Sequence, residues 1–374
     1  MAESRTPSGW ASFPTVDPVG PDSRVATDSA LLARVRDLGS KLLAPTAATS
    51  DEHGVPRSHL DALATIGVLG PVAPAPEQRE ISELIAGSCG TTWFCWTQHR
   101  APTQWIRESP NAAVRTRWGT ALAAGTALAG VAFAHVRRAG IPTVSATRSD
   151  DGWIFSGTLD WVTSWSIADI IVVVGETDDG QLVRAAVEPK RRDALLAGLP
   201  LDLAAMGGTH TCPVTLNNLF VPDSDVVAII DKAAWLEADA VATANASPQI
   251  FGVTRAAISL LHDTAGHRNQ YEALELAGVL AKRLDEIRDE AYDLIDNAAP
   301  GESLQRRVEL RAAALSLAVS ATTGAVTARA GAAMRLSDPA QRLARESLFY
   351  LVQAQTPQTR EATLRKLRTE LPTY

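Results

Sequence analysis

Cysteine is scarce in this chain. Three occur in 374 residues, Cys89, Cys95 and Cys212, and no two form a CxxC pair. That excludes a disulfide framework and a zinc site of the paired-cysteine kind, and it points to a reducing compartment. A strong charge of one sign is also lacking. The 35 basic and 42 acidic residues leave a formal net charge of −7, which gives no electrostatic reason to bind nucleic acid or an anionic membrane. No uninterrupted apolar run reaches the length of a bilayer span. The opening MAESRTPSGWASFPTVDPVGPDS has no apolar centre of the kind a signal peptide needs. These absences predict a cytoplasmic protein with a disordered tail over residues 1–26, no nucleic-acid or membrane partner and no metal centre. Aromatic residues make up only 5% of the chain, yet nine residues are tryptophan, so their placement carries information.

What the chain has is apolar bulk in three textures. At 46% hydrophobic it can bury a sizeable core, and its length favours more than one domain. Residues 27–128 read as an N-terminal helical domain. LLARVRDLGSKLL is amphipathic, and VPRSHLDALATIGVLG opens at Pro56 and stops at Gly67, the proline-in, glycine-out pattern of helices. Residues 129–230 change period. PTVSATR, GWIFSG, DIIVVVGE, LVRAAVEP, CPVTLNNLFVP and DVVAII are short, β-branched and separated by DDG, TDDG and proline turns. That spacing predicts a small barrel or sandwich. Residues 231–374 return to helix, with Leu276, Leu280, Leu284, Ile287, Ala291 and Leu294 at helical intervals, a break at Pro300-Gly301, and alanine-rich faces beyond it.

Near the centre lies DGWIFSGTLDWVTSW, residues 151–165. A cluster of tryptophan and hydroxyl residues after a short strand either packs a core or receives a flat ligand. This stretch, with MGGTHTCPVTLNNLFVPDSDVV and DPAQRLARESLFYLVQAQT further on, resembles the acyl-CoA dehydrogenase superfamily, which includes flavin-dependent monooxygenases of the same fold. The resemblance covers roughly residues 30–365. It implies an α+β fold of that type: an N-terminal helical domain, a middle β-barrel and a C-terminal four-helix bundle over 231–374. It implies FAD as cofactor, with FMN or externally supplied reduced flavin as alternatives. It implies a small-molecule or acyl-thioester substrate and a homodimer or homotetramer. By the same resemblance Trp161 and Thr163 lie at the isoalloxazine, Phe133 and Ala134 on the flavin loop, Arg268 at the pyrophosphate and Thr356 beside the cofactor. The competing reading packs Trp161 at a domain junction, while Trp153 and Trp165 are assigned to packing.

The departures from the family bear on chemistry. A dehydrogenase of this kind removes an α-proton with a glutamate. Counting from Arg345 puts one family slot at Ala354, and counting back from GVTRAAISLLHDTAGHR puts the other near Ala242. Alanine cannot take a proton. Asp239 is the sole acid in 238–249 and 353–357. His99 is the candidate catalytic group, since an imidazole can move protons near neutrality; a half-buried structural histidine is the alternative. Trp93 and Trp96 share a helix face and read equally as substrate pocket or core. Three functions follow: a flavin-dependent oxidoreductase without the usual base, a flavin-dependent monooxygenase, or a non-catalytic subunit paired with a homologous partner.

Overall fold

The computed structural model describes residues 29–70, 75–138, 140 and 142–370; the tail expected over 1–26 lies outside them. The first helix, α1 (Ala30–Leu38), starts where Ser29 Oγ accepts from the Leu32 amide at 3.1 Å. It runs through a π-turn into α2 (Ala44–His53). Then follow α3 (Arg57–Thr65), α4 (Ala75–Ser88), α5 (Gly90–Arg107) and α6 (Ala112–Ala124). Gly67, with φ +86°, sits just past α3, as the sequence pattern suggests.

The strands are β1 (Ala129–Ala132), β2 (Val144–Ser149), β3 (Gly152–Val162), β4 (Ile170–Glu176), β5 (Gln181–Val187), β6 (Leu195–Ala197), β7 (Cys212–Pro222) and β8 (Val226–Asp231). They form one sheet in the order β6-β7-β3-β2-β4-β5-β8, with β1 also paired to β4 in parallel. The sheet lies in the middle of the chain, where the β domain was expected. Phe155, Val173, Val183, Leu195 and Leu216, from five different strands, share one apolar interior. β4 shows why its sequence, IIVVVGE, does not alternate. Ile171 and Val173 face that interior, while Ile170 and Val172 pack against Ile106, Val114 and Leu122 of α5 and α6. A strand covered on both faces reads as a continuous apolar run.

The remaining helices are α7 (Lys232–Ala244), α8 (Pro248–Arg268), α9 (Tyr271–Asn297), α10 (Leu304–Arg329), α11 (Pro339–Tyr350) and α12 (Pro357–Glu370). The segment Leu304–Met334 is long and apolar enough to cross a membrane by composition, but 67% of its most apolar stretch is buried inside the protein. It is the central helix of the bundle. Close approach sets the packing of α4 on α8: a Cβ at Gly252 would lie 2.2 Å from the Glu83 carbonyl oxygen.

Buried charges tie the N-terminal helices to the bundle. Arg288 donates to Glu83 and Glu80, each at 2.7 Å, and Tyr292 donates to Glu83 at 2.6 Å. The Arg-x-x-Arg-Glu run of α11 has the same use. Arg342 pairs with Glu346 at 2.6 Å, the Gly90 amide donates to Glu346 at 3.2 Å, and Arg345 reaches Asp51 at 2.6 Å. Removing one partner of such a buried pair costs about 3–5 kcal/mol, because the other charge stays desolvated.

Candidate functional site

The C-terminal end of β3 is where the sequence placed its strongest signal. Along β3 the register with β7 slips: Leu159 pairs with Val214 and Val162 with Cys212. Two residues, Asp160 and Trp161, therefore stand opposite one, which is a bulge that re-aims a side chain. Trp161 is turned outward and is 51% exposed, unusual for an indole. Asp160 is held by Arg138 at 2.6 Å, so the segment after β1 is fixed beside it. Thr163 points the other way. It is buried, and its Oγ1 lies 2.9 Å from Thr211 Oγ1, which lies 2.8 Å from Thr209 Oγ1. This chain of hydroxyls ends on the Met206 carbonyl at 2.7 Å. Next to it Ser164 has φ +65° and a buried Oγ with no nitrogen or oxygen partner among the described residues. The Cys95 thiol beside Ser164 is pushed up to about 12 by burial.

The strand β1 runs alongside. A Cβ at Gly130 would sit 3.0 Å from the Thr163 carbonyl oxygen, so the two strand ends are in contact. Phe133 follows β1 and packs edge-on between Trp105 (6.2 Å) and Trp235 (5.9 Å), with the Arg137 guanidinium 5.1 Å from its ring centre. Ala134 is exposed. Arg137 then makes two parallel bonds to Asp239 of α7, both 2.7 Å, the bidentate geometry that makes such pairs strong. The one acid near the expected base slots is therefore occupied.

His99 sits in the interior. It is 0% exposed. The Ala129 amide donates to its Nδ1 at 3.0 Å, which assigns the proton to Nε2, and Nε2 donates to the Leu122 carbonyl at 3.2 Å. Burial lowers its pKa to about 4. Both ring nitrogens serve the junction of α5, α6 and β1, leaving neither for proton traffic in a cleft. Trp93 and Trp96 are in the core instead of lining a pocket: they are 2% and 1% exposed, and their Nε1 groups donate to Ser82 Oγ and the Val68 carbonyl, each at 2.9 Å.

The structure does not bring the two bundle candidates to this wall within one chain. Arg268 is exposed at the end of α8 and donates to the Ala328 carbonyl at 3.0 Å, beside the C-terminal end of α10. Thr356 Oγ1 accepts from the Thr359 amide at 3.3 Å and caps α12. No hydrogen bond or ring contact among the described residues joins either one to Trp161. Sequence reasoning missed Arg311. It is 3% exposed and donates to the Thr243 carbonyl (2.6 Å), the Gln353 carbonyl (2.9 Å) and the Ala354 carbonyl (3.3 Å). Its only signal was a pair of arginines, 307 and 311, one turn apart on an alanine-rich helix.

No family model matches the sequence. Two curated proteins of Solanum tuberosum match a short stretch. The mitochondrial 2-methylacyl-CoA dehydrogenase is 27% identical over 94 residues, 24% of this chain and 23% of that protein. The mitochondrial isovaleryl-CoA dehydrogenase is 26% identical over 94 residues, with the same coverage of 24% and 23%. The match thus spans about a quarter of these relatives' length. Solved structures agree over nearly the whole chain. Butyryl-CoA dehydrogenase from Megasphaera elsdenii superposes with TM-score 0.75 at 18% identity, covering 90% of this chain and 97% of that one. A glutaryl-CoA dehydrogenase from Mycobacterium smegmatis in complex with FADH2 gives 0.77 at 16% identity, covering 92% and 95%. PigA with FAD and proline gives 0.76 at 16% identity, covering 93% and 99%. At these identities the likeness establishes the fold, which is that of the acyl-CoA dehydrogenases.

Proposed function

We propose that this chain is an acyl-CoA dehydrogenase-like, FAD-dependent oxidoreductase that supplies no carboxylate base of its own. The observation that carries the reading is the bulge at Asp160–Trp161, which leaves a half-exposed indole at a strand end where a core residue would be covered. An exposed flat apolar face fits an aromatic ring. Arg268 fits the phosphate of a flavin bound against a neighbouring subunit of a homo-oligomer, because it spends only its NH1 on described partners and keeps other N–H groups of its fork. FAD, when bound, supplies the acceptor for a hydride or an electron pair.

The chain's own residues then have limited tasks. Trp161 covers one ring face and excludes water from it. Arg137 and Asp239 hold the segment after β1 against α7. Thr163 braces the wall from within through Thr211, so its hydroxyl is committed away from the ring edge. None of these groups removes an α-proton. His99, buried and neutral, does not serve a flavin monooxygenase as proton carrier.

A second reading is favoured by the state of Asp239 and Ala354. With the single nearby carboxylate engaged by Arg137 and a methyl group in the base slot, a homologous partner subunit would supply the proton acceptor. One experiment tests the premise they share, that this chain supplies no base. FAD-loaded protein is mixed anaerobically with saturated acyl-CoAs and, separately, with dithionite. The expected result is bleaching by dithionite and none at enzymatic rates by acyl-CoA, since a positioned base contributes about 10²–10⁴-fold. Fast bleaching by acyl-CoA would mean that a base operates in this chain.

A further inference from the structure

Two buried arginines stand one turn apart on α10, and they reach in different directions. Arg307 donates to the Leu294 carbonyl (2.7 Å), the Glu302 carbonyl (2.8 Å) and Asn245 Oδ1 (2.7 Å). It closes the C-terminal end of α9 and also holds the residue that caps α7. Arg311 reaches instead to Thr243, in the last turn of α7, and to Gln353 and Ala354, in the turn after α11. Among the described residues its side chain has no carboxylate in salt-bridge range, and its buried Nε has no hydrogen-bond partner. A guanidinium held only by carbonyls is costly to bury. The negative end of the α7 dipole offsets part of that cost.

We propose that Arg311 is a positioning residue for the reaction cleft: its one buried guanidinium ties the end of α7 and the turn after α11 into a single wall. Those are the two segments where a base is lacking. The inference rests on the flavin reading above. The wall connects to the flavin side through named contacts. Asp239 lies on the same helix as Thr243, and Asp239 grips Arg137, whose guanidinium lies over Phe133 at the start of the flavin segment. Gln249 of α8 adds a bond of 3.1 Å to Gln353, so the turn is held from two sides. Ala354 has φ +49°, a conformation alanine adopts at a cost, and the Arg311 bond to its carbonyl helps to impose it. Losing Arg311 therefore lets both segments relax, whereas losing Arg307 loosens the ends of α9 and α7 but leaves the turn after α11 held by Arg311 and Gln249.

The test is a matched pair in the full chain, Arg311→Met and Arg307→Met, with melting temperature, FAD affinity and the visible band of bound flavin as readouts. Both variants are expected to melt lower. Only Arg311→Met should shift the flavin band and weaken FAD binding, by about tenfold, the equivalent of about 1.4 kcal/mol. An unchanged band and affinity in Arg311→Met would overturn the inference, as would an equal shift in Arg307→Met, which would signal general loosening. If Arg311→Met does not fold, Arg311→Lys is read in its place. It keeps the charge but lacks the fork that spans both segments, so a shifted band supports the proposal and an unshifted one overturns it. Failure of the unaltered protein to bind FAD would be seen before any substitution, and it would overturn the flavin reading together with this inference.

Discussion

Replacing His99 with glutamine should make the protein's acid sensitivity smaller. His99 is fully buried, accepts from the Ala129 amide and donates to the Leu122 carbonyl. Desolvation lowers its pKa from 6.5 to about 4. The unfolded chain therefore takes up a proton on this ring below about pH 6.5, while the folded chain does so only near pH 4. Where the unfolded state binds more protons, stability falls as pH falls. The stabilisation is complete above pH 6.5 and is lost progressively between pH 6.5 and 4. A gap of about 2.5 pH units, at about 1.36 kcal/mol per unit, amounts to about 3 kcal/mol. Glutamine carries one donor and one acceptor but does not titrate. At pH 7.5, His99→Gln should be less stable than the parent by about 1–3 kcal/mol, from imperfect hydrogen bonds. At pH 4.5 most of that difference should vanish or reverse. Urea unfolding of both proteins at half-unit pH steps gives the difference directly, and the other titrating groups, common to both, cancel. A difference that stays constant with pH would show that His99 titrates normally in the folded protein. It would then be accessible, and its exclusion from proton traffic would be wrong.

Other substitutions test the remaining assignments. Arg288→Met takes the shortest partner from two buried carboxylates, Glu80 and Glu83, leaving them Arg255 at 3.7 and 3.2 Å, and should cost up to about 3–5 kcal/mol in chemical denaturation; a loss under about 1 kcal/mol would mean that Arg288 holds little of the network. Thr163→Val breaks the hydroxyl chain to Thr211 and Thr209, so stability should drop by about 1–2 kcal/mol while the flavin spectrum holds. The opposite pattern would put the hydroxyl on the cofactor. Arg268→Ala should weaken FAD binding by about tenfold or more with little change in circular dichroism, and unchanged affinity by equilibrium dialysis would remove Arg268 from the site.

Much of the architecture was readable because period and punctuation are local. The helical texture before residue 129, the β-branched runs separated by DDG and proline, and the Leu276–Leu294 spacing each follow from the element they build. The candidate site was readable only in part. DWVTSW announced itself, but which way Trp161 and Thr163 face depends on a bulge against β7, a partner about fifty residues away. Trp93, Trp96 and His99 lie on one helix that is buried nearly all round, so helical spacing could not separate a pocket face from a core face. Arg311 was invisible for a different reason. Its partners are backbone carbonyls, which every residue carries, so no side-chain pattern marks them.

The claim that Trp161 forms a flavin wall is tested most directly by titrating the purified protein with FAD while following both the visible flavin band and tryptophan emission, in the parent and in Trp161→Phe. Saturable binding of about one FAD per chain is expected in the parent. Trp161→Phe should fold normally, lose a large share of the FAD-dependent quenching and shift the flavin band. A parent protein that binds no flavin, or a Trp161→Phe variant with the parent's affinity, quenching and spectrum, would contradict that claim.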